Sequence, residues 1–240
     1  MYSIFIYILI SFSSVLFNFT DGYMGAVMGK QTTCDDAKTN LIKDWDPADF
    51  TTFTCSHSIP FPVQTDVDPE LFDMVKQNNS YDPKNDQVMH KCMDTSIEYD
   101  DRIPVRGDHR PNWARFGEYL YVPVQRWLHN LEHGSIILLY HPCVDLDELN
   151  KLRYLVTSCI YRHVITPYIK LTKERPLALV GWGSRIEMNS VDEKKVVEYL
   201  KMYARRAPEE ITRDGLYDEY LLKPAEFVSG PNDDKICPNF

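Results

Sequence analysis

A chain of 240 residues that is 44% hydrophobic and 12% aromatic has enough apolar material for one substantial core, which excludes an intrinsically disordered polypeptide. Its 26 basic residues stand against 35 acidic ones, a net charge of -9. Such a surface repels phosphate backbones and excludes nucleic acid as a partner.

The first 21 residues contain no Lys or Arg, and Ile4 to Phe17 is an almost unbroken apolar run. That run is shorter than the roughly 20 residues a membrane span needs. Small or polar residues (Thr20, Gly22, Gly25, Ala26) follow it, so residues 1–22 read as a secretory signal peptide cleaved between Gly22 and Ala26, with a signal anchor as the rival reading. No later stretch is apolar enough to cross a bilayer, and the product is expected to be secreted. In an oxidising compartment the six cysteines, Cys34, Cys55, Cys92, Cys143, Cys159 and Cys237, imply three disulfides. One pairing is excluded. An amphipathic helix between Cys143 and Cys159 would hold them roughly 20 Å apart, beyond disulfide reach. The other pairings stay open.

Residues 23–95 are polar and punctuated by turn formers (Asp44-Trp45-Asp46-Pro47, Ile59-Pro60-Phe61-Pro62, Tyr81-Asp82-Pro83), which predicts a loop-rich, disulfide-stapled region. Its best short helix is Pro69 to Gln77. Asn78-Asn79-Ser80 is a glycosylation sequon in a polar turn, making Asn78 a candidate glycan acceptor. Met89-His90-Lys91-Cys92-Met93 combines thioether, imidazole and thiol, a set that suits copper(I). The preferred reading is a disulfide cysteine between packing methionines.

Residues 96–208 carry the periodic segments. Tyr119 to Val124 reads as a strand, Pro123 to His133 as a short helix and Ser135 to Tyr140 as a buried strand. Leu146, Leu149, Leu152 and Leu155 recur at helical spacing behind Asp145, and Val196, Val197, Leu200 and Tyr203 mark a second helix within Val191 to Ala207. Arg162 to Ile169 and Pro176 to Ile186 are strand-like and predict a hairpin. The β-α-β-β-α order predicts an α+β fold, a sheet with helices packed on one face. Residues 209–240 form an acidic tail tied down by Cys237.

The chemistry concentrates in His129-Asn130-Leu131-Glu132-His133-Gly134. At helical pitch His129 and His133 share a face, and Glu132 lies close to it. A metal site that keeps one position open uses three protein ligands. His109, in the loop Gly107-Asp108-His109-Arg110-Pro111, is the candidate third ligand beside His129 and His133. Glu132 is then a fourth ligand or the base that deprotonates a bound water, and Asp108 a group that orients an imidazole. Zinc or copper fits these donors. The alternative is that His133 caps the helix while His129 packs and bonds to backbone. His57, His90, His141 and His163 are assigned to solvent or to satisfied core positions. Arg106-Gly107-Asp108 spells an integrin-binding tripeptide, but Asp108 is assigned to the histidine site instead. Trp113, Tyr119, Tyr121, Trp127 and Trp182 are expected in the core and its rim. The chain has no Ser nucleophile elbow, phosphate loop or paired zinc-finger cysteines.

Two stretches, Arg106-Gly-Asp-His-Arg-Pro-Asn-Trp-Ala-Arg-Phe-Gly-Glu-Tyr and Pro123-Val-Gln-Arg-Trp-Leu-His-Asn-Leu-Glu-His-Gly, the latter continuing to Cys143, resemble the tumour protein p53-inducible protein 13 family of animals. That family is similar in turn to a bacterial domain of unknown function, number 3105. The resemblance spans roughly Pro104 to Met188. It maps motif positions onto His109, Pro111, His129, Leu131, Glu132, His133, Gly134, Tyr140, Pro142, Trp182 and Gly183. It implies a domain without an established activity, and its three histidines coincide with those chosen as ligands. Three functions follow for testing: a secreted protein holding a divalent transition metal, a non-enzymatic extracellular module that binds a protein partner, and a metal-dependent hydrolase using Glu132.

Overall fold

The computed structural model describes residues 34–240, and the expected signal peptide lies outside them. In chain order these residues form β1 (Glu70–Asp73), α1 (Met74–Gln77), β2 (Gly117–Tyr119), α2 (Val124–Glu132), β3 (Ile136–Tyr140), α3 (Leu146–Cys159), β4 (His163–Pro167), β5 (Leu177–Gly181), β6 (Ser184–Met188), α4 (Glu193–Tyr203) and β7 (Leu221–Pro224). The strands make one seven-stranded mixed sheet in the order β1-β6-β5-β3-β4-β2-β7. This is the α+β architecture expected from the sequence.

The helices start where the acidic caps dictate. Asp145 accepts from the amides of Asp147 and Glu148 at the head of α3, and Asp192 accepts from Lys195 at the head of α4. Both helices lay their apolar stripes on one face of the sheet. Leu149, Leu152, Leu155 and Val156 of α3, with Val196 and Leu200 of α4, meet Ile136, Leu138, Ile165, Leu177 and Leu179. The opposite face of the same strands, Ile137, Leu139, Val164, Ala178 and Val180, is covered by Trp127, Leu128 and Leu131 of α2. Burial on both faces explains why β3 is apolar at every position instead of alternating. Each leucine-sized side chain buried this way contributes roughly 1.5–3 kcal/mol.

Three local expectations differ from the structure: the strand read over Tyr119 to Val124 is instead β2 at Gly117–Tyr119, which ends where that reading began, and two further differences concern strand pairing. Arg162 to Ile169 and Pro176 to Ile186 do not form a hairpin, because β3 lies between β4 and β5, parallel to the first and antiparallel to the second. The crossover through α3 returns the chain parallel to β3, and four of the five β3 residues, Ile137 to Tyr140, paired on both sides outweigh a local turn. The hairpin instead joins β5 to β6 through Trp182 and Gly183, the latter at φ +72°. Residues 69–77 also divide into β1 and α1, because Glu70 to Asp73 pair with the open edge of β6. Asp73 then caps α1 by accepting from Val75.

The disulfides are Cys34–Cys92, Cys55–Cys143 and Cys159–Cys237, which respects the exclusion of a Cys143–Cys159 pair. Among the described residues no helix is long and apolar enough to cross a membrane.

Candidate metal centre

Helix α2 is amphipathic in an unusual sense. Its apolar face meets the sheet, and its polar face is buried as well: Arg126, His129, Asn130 and Glu132 are all inaccessible or nearly so. The helix ends at His133, and Gly134 follows at φ +79°. A Cβ on Gly134 would stand 2.8 Å from the Arg205 Cα, so only glycine admits this close approach.

Side chains of α2 hold a loop over the helix. The Asn130 amide accepts from the Ala114 amide at 3.0 Å and donates to the Ala114 carbonyl at 2.7 Å. Arg126 donates to the Asn112 carbonyl at 2.8 Å and pairs with buried Asp35. The Arg110 amide donates to the Gln125 carbonyl. His109 is thereby set above Glu132. A second segment arrives through a parallel backbone bridge, in which Lys91 N–H donates to the His109 carbonyl at 2.8 Å and His109 N–H to the Met89 carbonyl at 3.2 Å. That bridge puts His90 beside His109. The Cys34–Cys92 disulfide and the Arg110 side chain, bonded to Asp44 and to the Lys91 carbonyl, fix the segment further.

Three imidazoles converge on one carboxylate oxygen. The Nε2 atoms of His109, His90 and His129 lie 3.0, 3.7 and 3.8 Å from Glu132 Oε2. The four residues offer ligand atoms that all lie within 4.8 Å of one another and can hold a metal ion. For comparison, ligands about 2.0 Å from a tetrahedral ion stand about 3.3 Å from each other.

The hydrogen bonds define which ring nitrogens are free. His109 Nδ1 donates to the Gly107 carbonyl at 2.8 Å and His129 Nδ1 to the Arg110 carbonyl at 2.6 Å, because a carbonyl can only accept. In a neutral ring this leaves a lone pair on Nε2, whereas a protonated His109 donates from Nε2 to Glu132 Oε2 at 3.0 Å. The Nε2 atoms of His90 and His129 have no hydrogen-bond partner. Lone pairs of several imidazoles facing a carboxylate repel unless a proton or a cation lies among them. Backbone carbonyls that hold the far nitrogen are the usual outer partners of metal-bound histidine.

Burial pushes the His129 imidazole well below its ordinary range, and the neighbouring His109, His133 and His90 add to the effect. Burial alone would raise the Glu132 carboxyl, but His109 and His90 outweigh it and hold it at about 2. At neutral pH Glu132 is therefore a carboxylate and His129 a neutral base, the forms that bind metal. Trp113 packs on the cluster, its ring 4.8 Å from His129 and 4.3 Å from His133, with the Arg213 guanidinium over the Trp113 ring at 4.1 Å.

His109, His129 and Glu132, chosen from the sequence, come together as one group. His133 lies beside them, its ring centroid 4.6 Å from that of His129, but groups with Glu132 and Glu209. Among the described residues Asp108 forms no hydrogen bond or ion pair with an imidazole. It accepts from the Met89 amide and holds the segment that carries His90, while the Gly107 and Arg110 carbonyls orient the rings. Sequence reasoning missed His90, placed by a nonlocal bridge, and Glu209, which lies in the acidic tail. The copper(I) set does not form, because the Cys92 sulfur is engaged in a disulfide. The tripeptide at 106–108 is also engaged: Arg106 pairs with Asp86, and Asp108 accepts from Met89. His57 is exposed, His141 half-buried, and His163 buried with Nδ1 donating to the Ile160 carbonyl.

The model of a family described as a protein of unknown function, DUF3105, matches residues 90–215, more than half of the 240. The chain belongs to the DUF3105 family. The DUF3105 match begins on His90 and ends beyond Glu209, so it takes in both groups of ligand atoms. The tumor protein p53-inducible protein 13 of Rattus norvegicus is 27% identical over 104 residues, 43% of this chain and 27% of that relative. Its Mus musculus counterpart is 31% identical over 72 residues, 30% of this chain and 19% of that relative. The chain thus matches about a quarter or less of the length of these curated relatives. No solved structure matches this DUF3105 chain.

Proposed function

We propose that this DUF3105 protein is secreted and holds a divalent transition metal, zinc or copper, through His90, His109 and His129 with Glu132 as the fourth ligand. The observation that carries the reading is the convergence of three buried Nε2 atoms on Glu132 Oε2, with the Nδ1 atoms of His109 and His129 turned away to backbone carbonyls. This departs from a set of His109, His129 and His133 by exchanging His133 for His90. Four protein ligands close a tetrahedral shell, so the ion ties segments 89–91 and 107–111 to α2. A hydrolase would require Glu132 to leave the shell as a base and open a position for water. Secretion is supported by the apolar leader and by three disulfides. The exposed Asn78 is then the glycan acceptor, and Asn78→Gln removes a mass shift sensitive to glycosidase.

The test is elemental analysis of the protein recovered from medium, purified without a metal-binding tag, beside His109→Ala/His129→Ala. At least one equivalent of metal per chain is expected, with at least one equivalent lost in the variant. A metal-free protein whose melting temperature ignores chelators overturns the reading and leaves a histidine-cored extracellular interaction module. Hydrolysis that disappears in Glu132→Gln would identify the open, catalytic form.

A further inference from the structure

We infer that Glu132, His133 and Glu209 form a second divalent-cation site, so that the centre is dinuclear with the Glu132 carboxylate shared between its two ions. This rests on the metal reading above and adds to it. His133 is 0% exposed, yet neither Nδ1 nor Nε2 has a hydrogen-bond partner. Its Nε2 stands 3.3 Å from Glu209 Oε2, within ion-pair distance but outside hydrogen-bonding geometry, and that oxygen is itself buried without a hydrogen bond. Ligand atoms of Glu132, His133 and Glu209 lie within 4.8 Å of one another.

Backbone contacts deliver Glu209 to this position. Its amide donates to the Glu132 carbonyl at 3.1 Å, and just upstream Arg205 N–H donates to the Gly134 carbonyl at 2.9 Å. The chain leaving α4 is thus pinned along the end of α2, where both carboxylates meet His133. A carboxylate has two oxygens, and one of Glu132's already faces three imidazoles. A carboxylate bridging two ions holds them about 3.5–4 Å apart, the spacing of two-metal centres. An imidazole with two carboxylates suits Zn2+ or Mn2+ better than a soft ion such as Cu(I). Glu209 is the more open ligand, its side chain 20% exposed against 3% for Glu132, so the second ion lies on the solvent side and water completes its shell.

The experiment strips the full-length secreted protein with chelator, reloads it with Zn2+ and counts bound ions after gel filtration, for wild type, Glu209→Gln and His133→Gln. Two ions per chain are expected in wild type and one in each variant, and circular dichroism verifies that each variant is folded. One ion in wild type, unchanged in both variants, overturns the dinuclear site and leaves the single-metal reading intact. No ion in wild type overturns both. Two ions retained in both variants place the second ion elsewhere and overturn the inference. Co2+ loading gives an independent readout: ions sharing a carboxylate are magnetically coupled, and Glu209→Gln should return the spectrum of an isolated ion.

Discussion

Acidification of the chelated protein tests the electrostatics of the cluster without any metal. Burial holds His129 well below its ordinary value of 6.5 in the folded protein, whereas the unfolded chain titrates near that value. Below pH 6.5 the unfolded state therefore binds a proton that the folded state refuses. The stability is fully present above the unfolded value and is lost as pH falls toward the folded one. One unit below 6.5, the loss from His129 alone is on the order of 1 kcal/mol. His133 and His163, also lowered by burial, act in the same direction. Urea unfolding of the chelated protein at about pH 7.5 and about pH 5.5 measures this. The wild type should lose at least about 1 kcal/mol between them, and His129→Gln should lose about 1 kcal/mol less than wild type. Equal slopes in the two proteins, or a wild type indifferent to this pH step, would refute the claim that His129 is buried as a neutral base.

Asn130→Ala leaves the Ala114 amide and carbonyl without their partners, which should cost about 2–4 kcal/mol in chemical unfolding and displace His109. Gly134→Ala pushes a Cβ against Arg205 at a positive φ and should lower the melting temperature by several degrees while leaving secondary structure intact. Replacing Cys34 and Cys92 by Ala opens a loop with a sequence separation of 58, a loss of about 4 kcal/mol by chain entropy. The same double variant should weaken metal retention, since His90 lies two residues from the cystine. An affinity unchanged from wild type would show that the cystine does not position that ligand.

The helices were legible in the sequence because their signals are local. Asp145 and Asp192 cap them, and leucines at helical spacing mark the buried stripe. Strand order was not, since β3 Ile136–Tyr140 reads alike beside any partner and only the crossover through α3 decides that it separates β4 from β5. The candidate site divides the same way. His129 and Glu132 lie in one short helix that His133 caps, and their spacing announces them. His90 sits in a polar stretch next to a cysteine, and nothing near it in the chain shows that its backbone pairs with His109. Glu209 is one acidic residue among many until the contact between Gly134 and Arg205 brings its segment onto α2.

The backbone bridge between residues 89–91 and 109 has a consequence for how the protein matures. His109, His129 and Glu132 lie within one short piece of chain, but His90 belongs to the segment that the Cys34–Cys92 bond must fasten. Oxidation of that cystine and completion of the ligand set are therefore linked events. A nascent chain still in its thiol form presents an unfinished ligand set, so on the proposed metal reading acquisition of the ion would report on correct oxidative assembly and separate finished molecules from those trapped with the wrong cysteine partner.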